Sequence, residues 1–231
     1  MTLFIETASR VGGLLLFDPV QDQIFSQSWT ADSSHSERIT FELEELLKKS
    51  KRELSAIELL VVNIGPGSFT GIRVGLSFAR SLSYMIGCKI LSLNTLEVMA
   101  QVSPHHGKIL VSLPAITGHH YVGGFIKTSD KIEEQLPPRS LSSKELEALM
   151  NDYDHLIDGK YLKSPTKVED LFQFYRQKSR AFQKNSWNEL MPLYLRRSQA
   201  EEKLSGGILK PLYEESGKCV EPNGQKQGGR S

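Results

Sequence analysis

The segment with the clearest capacity for chemistry is the glycine-rich run at 65–75, Gly-Pro-Gly-Ser-Phe-Thr-Gly-Ile-Arg-Val-Gly. It separates an apolar run typical of a buried strand from a stretch typical of a helix. Backbone N–H groups at the start of a helix can bind an anion. The run does not match a Walker A loop, because the Gly-Lys-Ser/Thr ending is missing, or Gly-x-Gly-x-x-Gly, because position 70 is Thr. A phosphate site is therefore one interpretation, and a tight turn that needs glycine freedom is the favoured one.

An anion at this turn would be contacted from the end of the first strand and from the turn itself. The candidate residues are Glu6, Thr7, Gly65, Gly67, Ser68 and Thr70. Ser68 is expected to be the N-cap of the following helix, because its hydroxyl can accept a helix N–H group. No His or Lys base lies near it in the sequence, so it is not expected to act as a nucleophile.

Residues suited to catalysis or metal binding are sparse elsewhere in the chain. The six histidines lie at positions 35, 105, 106, 119, 120 and 155, so no two are four residues apart on one helical face. Cys88 and Cys219 cannot form a disulfide framework or a four-cysteine metal site. We therefore predict no metal site and no catalytic residue, and we expect His35 to lie at a helix start or an interface.

Length and composition limit the classes of function. The 231 residues carry 28 Lys and Arg against 27 Asp and Glu, a net charge of +1, which disfavours binding of long nucleic acid by this chain alone. No apolar run approaches the length of a membrane span, and no signal peptide is recognisable at the start. We expect a cytoplasmic globular protein of one large or two small domains.

The pattern of elements indicates an α/β fold with mixed sheets and helices on both faces. The first hundred residues are predicted to run β-β-β-α-β-α-β-α, with strands near 3–5, 11–17, 24–29, 59–64 and 89–93. Helices are expected near 36–50 and 69–86 and from Asn94 or Thr95 to 101. Strands near 108–113, 121–127 and 156–158 and helices near 142–151 and 168–182 follow. Capping boxes are predicted at Ser34 and at Ser142. This order is that of the ribonuclease-H-like fold and of the lobes of the actin-like superfamily.

The predicted helix 69–86 carries small residues every four positions, at Gly71, Gly75, Ala79 and Ser83. Glycine inside a helix costs roughly 1 kcal/mol relative to Ala, so this stripe calls for a close neighbour. That neighbour is either the helix near 36–50 or another chain. If it is another chain, Gly75→Leu should leave the fold largely intact and break the complex.

The run at 65–75 resembles the signature of the TsaB (YeaZ) family, a subunit of the bacterial machinery that makes threonylcarbamoyladenosine in transfer RNA. Other segments resemble the family in the same order: Phe-Ile-Glu-Thr-Ala-Ser at 4–9, His-Ser-Glu at 35–37, Ser-Leu-Asn-Thr-Leu at 92–96, Pro-Leu-Tyr-Leu-Arg at 192–196 and Ala-Glu-Glu-Lys at 200–203. The resemblance is strong over about 1–101 and 190–203. The chain departs from the family pattern at two places: Glu6 stands where the family has Asp, and Leu-Pro-Ala-Ile-Thr-Gly at 113–118 stands where it has Asp-Ala-Arg. Both departures argue against nucleotide binding in the chain's own cleft.

The resemblance implies a two-lobed actin-like fold and a non-catalytic scaffold subunit. It would heterodimerise with the catalytic paralogue TsaD, which carries the metal and ATP with Mg, beside a TsaE-type ATPase. The product would be threonylcarbamoyladenosine at position 37 of tRNAs that read codons starting with A, and the chain would form a homodimer without its partner. The expected interface residues are His35, Glu37, Ile39, Leu43, Leu46, Gly71, Gly75, Ala79 and Ser83, and weak RNA contacts are expected from Arg196, Arg197 and Lys203.

The implied organisation has four parts. They are an N-terminal lobe at 1–102, a smaller lobe at 107–190, a C-terminal motif segment at 191–213 and a disordered tail at 214–231. The alternative function is an ATP-binding kinase or ATPase of the two-lobed superfamily, which binding and turnover of Mg-ATP by the isolated chain would indicate. A plain RNA-binding module is disfavoured by the charge balance.

Overall fold

Two mixed β-sheets with helices packed on them form the framework of the protein. The computed structural model describes residues 1–30, 34–115, 118–129, 131–159, 166–178 and 186–195. The strands of the first sheet are β1 (Thr2–Glu6), β2 (Val11–Asp18), β3 (Gln23–Thr30), β4 (Leu59–Asn63) and β5 (Lys89–Leu93). Their spatial order is β3-β2-β1-β4-β5, with β1, β4 and β5 parallel and β2 and β3 antiparallel. The predicted strands of this half are confirmed.

The second sheet is smaller and has the order β8-β7-β6-β9. Its strands are β6 (Gly107–Pro114), β7 (His119–Lys127), β8 (Ile132–Ser142) and β9 (His155–Asp158). The sequence did not predict β8, which contains Pro137 and Pro138. Proline cannot donate to a strand ladder and is tolerated at a sheet edge. β8 is such an edge strand, and its register against β7 shifts at Gly124.

Five helices pack on the sheets in the described part of the chain. They are α1 (His35–Ser50), α2 (Phe69–Ile86), α3 (Thr95–Val102), α4 (Ser143–Met150) and α5 (Val168–Lys178), with a short 3-10 turn at Leu54–Ala56. The predicted helix near 168–182 begins at Val168, and residues 179–185 lie outside the described residues. None of these helices is both long and apolar enough to span a bilayer.

Two of three helix-end features predicted from the sequence, those at Ser142 and Gly87, are present in the structure. The capping box predicted at Ser142 is confirmed: its hydroxyl accepts from the N–H group of Glu145, and the Glu145 carboxylate accepts from the N–H group of Ser142. The capping box predicted at Ser34 is wrong, because the Ser34 side chain makes no cap hydrogen bond. Its hydroxyl lies 2.6 Å from that of Ser36 instead. α2 ends as expected at Gly87, whose φ of 71° is the left-handed conformation that glycine favours.

The core is divided by the first sheet into two apolar layers. α1 and α2 cover one face through a layer that includes Leu3, Leu46 and Leu76. α5 covers the other face, where Leu171 and Phe174 pack with strand residues such as Phe4. α5 therefore packs on the first sheet, although the sequence places it within the expected second lobe. The boundaries at 102 and 107 stay a prediction. Residues 1–193 group as one compact unit, and the predicted tail at 214–231 lies outside the described residues.

Candidate functional site

The site begins at the adjacent carboxyl ends of the parallel strands β1 and β4. Glu6 is the last residue of β1, and its side chain is fully buried. Its Oε2 accepts hydrogen bonds from Asn63 Nδ2 at 2.7 Å and from Thr166 Oγ1 at 2.8 Å, and its Oε1 accepts from the N–H group of Ala8 at 2.7 Å. The carboxyl group is thus enclosed by the chain's own donors.

The environment of Glu6 changes its proton affinity. Burial raises the pKa of Glu6 to about 7, although hydrogen bonds from Asn63, Thr166 and the backbone of Ala8 and Ser9 act to lower it. None of these influences is a charged neighbour. Protonated and ionised Glu6 are therefore both populated near neutral pH.

Asn63 extends this cluster to two further elements. Its Oδ1 accepts from the N–H group of Gly65 at 2.9 Å and from Thr95 Oγ1 at 2.9 Å, and its Nδ2 also donates to Thr166 Oγ1 at 3.2 Å. We call Glu6, Asn63, Thr95 and Thr166 the Glu6 network. The sequence analysis missed all but Glu6. A polar residue ending an apolar strand was a signal for Asn63, whereas nothing in the sequence pointed to Thr166.

The glycine-rich turn packs directly on the residues that follow β1. The Ser68 N–H group donates to the Ala8 carbonyl at 2.7 Å, and Thr7 Oγ1 donates to the Gly71 carbonyl at 2.8 Å. A side chain at Gly67 would overlap the Ala8 carbonyl, and one at Gly71 would overlap the Thr7 carbonyl. These glycines are required because two backbone segments approach closely.

Ser68 has the role expected of it, because its hydroxyl accepts from the N–H group of Gly71 at 3.2 Å at the start of α2. Of the other candidate anion ligands, Gly67 and Thr70 are exposed beside it, whereas Glu6, Thr7 and Gly65 are buried. The turn and the acidic side chain therefore do not face one open cleft. In this conformation the residues do not fit a phosphate group held between them, and no catalytic step is assigned to them.

The small stripe on α2 faces the inside of the protein, which corrects the expected interface. Gly71, Gly75, Ala79 and Ser83 are all buried within the chain itself. A side chain at Gly75 would overlap Thr7 Oγ1, and the Ser83 hydroxyl donates to the Cys88 carbonyl at 2.6 Å. The close neighbour is the segment after β1 and not a second helix. This overlap argues against the expectation that Gly75→Leu leaves the fold intact, and the outcome of that substitution stays a prediction.

The expected interface residues of α1 are also mostly internal. Ile39, Leu43 and Leu46 lie in the apolar layer between α1 and the first sheet, and only Glu37 is exposed. His35 is buried: its Nδ1 accepts from Trp29 Nε1 at 3.0 Å, and its Nε2 lies 3.0 Å from the Ser9 carbonyl. Because the indole can only donate, Nε2 carries the proton and donates to that carbonyl. His35 therefore holds the start of α1 to the segment after β1.

Comparisons with known proteins decide the family. A family model described as "TsaD: tRNA N6-adenosine threonylcarbamoyltransferase" matches residues 28–182. The chain belongs to this family. The resemblance to TsaB within it is confirmed by relatives named "tRNA threonylcarbamoyladenosine biosynthesis protein TsaB". The one from Bacillus subtilis is 25% identical over 157 residues, which cover 67% of this chain and 68% of the relative.

Other relatives match over shorter segments. The TsaB of Buchnera aphidicola from Schizaphis graminum is 28% identical over 130 residues, which cover 52% of this chain and 62% of the relative. The TsaB of Haemophilus influenzae is 34% identical over 73 residues, 32% of this chain and 31% of the relative. The chain thus spans less than two thirds of the length of these two relatives.

A solved structure confirms the fold of this family member. It is YeaZ from Pseudomonas aeruginosa, with a TM-score of 0.67 and 17% sequence identity, and the match covers 84% of this chain and 99% of that one. The expected two-lobed, actin-like α/β fold is therefore correct.

The remaining candidate residues are dispersed. His120 lies between two hydroxyl groups, 3.2 Å from each of Ser112 Oγ and Ser143 Oγ, and the rings of His105 and His155 stack with centroids 4.3 Å apart. No three His, Cys, Asp or Glu side chains form a metal-binding group within the described ranges. Arg196, Arg197 and Lys203 lie outside the described residues, so their RNA contacts stay a prediction.

The outward faces of α1 and α2 present large apolar side chains that the sequence analysis did not select. Phe41 is 55% exposed on α1, and Tyr84 and Met85 are 74% and 62% exposed on α2. Phe69 is exposed at the start of α2, and its ring lies 3.9 Å below the Arg73 guanidinium. An apolar residue on the polar face of a helix was the sequence signal for these positions.

Proposed function

We propose that the chain is a non-catalytic subunit of the machinery that forms threonylcarbamoyladenosine at position 37 of tRNAs reading codons that start with A. It acts by heterodimerising with a TsaD-type catalytic subunit, which carries ATP with Mg and the metal, and a TsaE-type ATPase completes the assembly. Family membership and the names of the TsaB relatives support the reaction. The tRNA is bound by the assembly, with a minor contribution from Arg196, Arg197 and Lys203.

One observation carries the scaffold role. The acidic side chain at the end of β1, which two-lobed enzymes of this superfamily place near phosphates and metal, is fully buried here and holds Asn63, Thr166 and Ala8 together. A carboxyl group used to join parts of the fold cannot also orient a nucleotide from that position. The glycine-rich turn next to it is likewise explained by packing against Thr7 and Ala8.

The docking surface is assigned to the outward faces of α1 and α2 rather than to their buried stripes. We define it by Phe41, Phe69, Tyr84 and Met85, together with the exposed Glu37. Burial of exposed apolar area favours association by roughly 25 cal/mol per Å², and large apolar anchors carry much of the binding energy of an interface. When the partner is absent, the same surface pairs two copies of the chain about a two-fold axis.

The test is reconstitution of the modification on unmodified tRNA with threonylcarbamoyl adenylate as the donor and TsaD and TsaE of the same organism, with and without this chain. The modified base should form only when the chain is present, and Mg-ATP should not be turned over by the chain alone. Tight binding and turnover of Mg-ATP by the isolated chain would contradict the proposal. So would full activity of the other components without it.

A further inference from the structure

The Glu6 network lies where the two sheets and two helices meet. Glu6 and Asn63 end strands of the first sheet, Thr95 is the first residue of α3, and Thr166 lies two residues before α5. α3 packs on the second sheet through Leu96, Met99 and Ala100, and α5 packs on the first. The Glu6 carboxyl group is thus hydrogen-bonded directly to Asn63 and to Thr166 before α5, and through Asn63 to Thr95 at the start of α3.

Both ionisation states of Glu6 fit this geometry. The ionised carboxylate accepts from Asn63, Thr166 and Ala8, which are all donors in these contacts. A proton on Oε2 can instead be donated to Thr166 Oγ1, because a hydroxyl group both donates and accepts. The network therefore survives protonation without rearrangement of the backbone.

The protonated and ionised states of Glu6 differ in the free energy required to bury them. An ionised carboxylate removed from water requires a compensating charge or many donors. Among the described residues, no charged side chain contributes to the pKa shift of Glu6, and several titratable groups of nearby elements have other partners. Asp18 of β2 pairs with Arg52, and His35 lies between Trp29 and Ser9. On α2, Arg73 lies over the Phe69 ring and Arg80 donates to the Leu190 carbonyl. Burial and, to a smaller extent, the charge of Glu97 on α3 raise the pKa of Glu134, and the Asp170 carboxylate on α5 accepts from the Lys167 N–H group.

We infer that Glu6 is a proton-sensitive connection between the first sheet and the segment 166–178, which detaches more readily once Glu6 has lost its proton. In the attached state the ionised carboxylate is buried, and no cation of the described residues contributes to its pKa shift. Detachment of Thr166 admits water to the carboxylate, and water stabilises the charge. Opening of this segment therefore releases a proton, and higher pH favours it.

Hydrogen–deuterium exchange of the full chain measures this opening directly. Glu6 titrates at about 7 when attached and at the ordinary value of 4.5 when hydrated. Linkage then predicts that the opening equilibrium of α5 is about tenfold larger at pH 8 than at pH 6, after correction for intrinsic exchange rates. β3 serves as the internal reference, because it is a largely exposed edge strand without an ionisable side chain and can open locally while the Glu6 network stays intact. Its opening should change far less over the same range.

Two variants and one titration make the inference falsifiable. Glu6→Gln should abolish the pH dependence of α5 opening, whereas Glu133→Gln, at an exposed carboxyl group on β8, should preserve it. If Glu6→Gln does not fold, the wild-type comparison of α5 with β3 stands by itself. Carbon-13 NMR of the Glu side chains should show a buried carboxyl group that titrates near neutral pH. Equal pH dependence in α5 and β3, or titration of Glu6 near 4.5, would overturn the inference.

Discussion

The Thr7 carbonyl oxygen occupies the space into which a side chain at Gly71 would extend. The Thr7 hydroxyl also donates to the Gly71 carbonyl at 2.8 Å, so the loop after β1 and the first turn of α2 are joined at both positions. This relationship explains the glycine-rich turn by the approach of two backbones. It also implies that the turn acts by fixing α2, on whose outward face the proposed docking surface lies.

Substitution of the stripe glycines should destabilise the fold rather than only weaken a complex. Alanine at a helix interior is favoured over glycine by about 1 kcal/mol, but the overlap at Gly71 or Gly75 should outweigh this gain. We expect Gly71→Ala and Gly75→Ala each to lower the free energy of unfolding by about 2 kcal/mol, as overpacking typically does. Urea unfolding measures this.

The matched control is Ser77→Ala, at an exposed position of the same helix. It should change the free energy of unfolding by less than about 0.5 kcal/mol. Wild-type stability of Gly71→Ala would show that the close approach of Thr7 is not a feature of the folded protein.

Global stability should also depend on the ionisation of Glu6. Its pKa is raised to about 7 in the fold from an ordinary 4.5, so between these values the folded state binds a proton that the unfolded state has lost. The contribution of Glu6 to the free energy of unfolding therefore falls by on the order of 3 kcal/mol as the pH rises from below 4.5 to above 7.

The measurement is urea unfolding from pH 4 to 8 for the wild type and Glu6→Gln. The difference between the two curves isolates Glu6, since other groups contribute equally to both. Glu6→Asp should be destabilised at every pH, because its shorter side chain cannot reach Asn63, Thr166 and Ala8 together. A wild-type minus Glu6→Gln difference that does not vary with pH would contradict this account.

The buried pair of Trp29 and His35 should be energetically coupled. Its hydrogen bond of 3.0 Å fixes the neutral ring with the proton on Nε2, which in turn donates to the Ser9 carbonyl. A double-mutant cycle of Trp29→Phe and His35→Ala should give a coupling free energy of about 1 kcal/mol. An equivalent cycle of Trp29→Phe with the exposed His106→Ala should give none. If the effects of the first pair are additive, His35 does not link the start of α1 to the segment after β1.

Lys127 should stabilise the end of α3. Its ammonium group donates to the carbonyl groups of Gln101 and Ser103, and burial lowers the pKa of Lys127. Lys127→Met retains the apolar stem but leaves both carbonyl groups without this donor, so the free energy of unfolding should fall by about 1–3 kcal/mol. Thermal unfolding against the exposed Lys49→Met, which should have little effect, measures the difference. Equal stability of the two variants would refute the assignment.

The fold was largely predictable because its strands and helices follow strong local patterns. Apolar runs such as 59–63, glycine at the end of α2 and the capping box at Ser142 are local signals that the structure uses. β8 was missed because its two prolines argue against a strand, and only its position at a sheet edge removes that objection. Whether a strand lies at an edge depends on the whole sheet and cannot be predicted from the residues of that strand alone.

The site was predicted less well, for a physical reason. Four-residue spacing correctly placed Gly71 and Gly75 on one face of α2, but spacing does not say what that face contacts. Glu6 and Thr166 meet across 160 positions of the chain, and no local pattern near Thr166 indicates the contact. The sequence therefore identified the important turn and the unusual acid, while only the structure shows which residues they pack against.

The docking surface can be tested by paired substitutions of exposed apolar residues. The double variant Tyr84→Ala and Met85→Ala should weaken binding to TsaD at least tenfold, because it removes two large side chains from the centre of the proposed contact. Val20→Ala, at a residue that is 91% exposed on the β2–β3 turn, is the matched control and should bind like the wild type. Isothermal titration calorimetry measures both. Equal affinities would place the interface elsewhere.

The most direct test of the central claim is size-exclusion chromatography with light scattering on the chain alone and mixed with TsaD of the same organism. The account predicts a homodimer of the chain alone that is replaced by a stable one-to-one heterodimer in the mixture. If the two proteins elute separately at all ratios, with and without ATP and Mg, the chain does not act by docking on TsaD, and the scaffold account is contradicted.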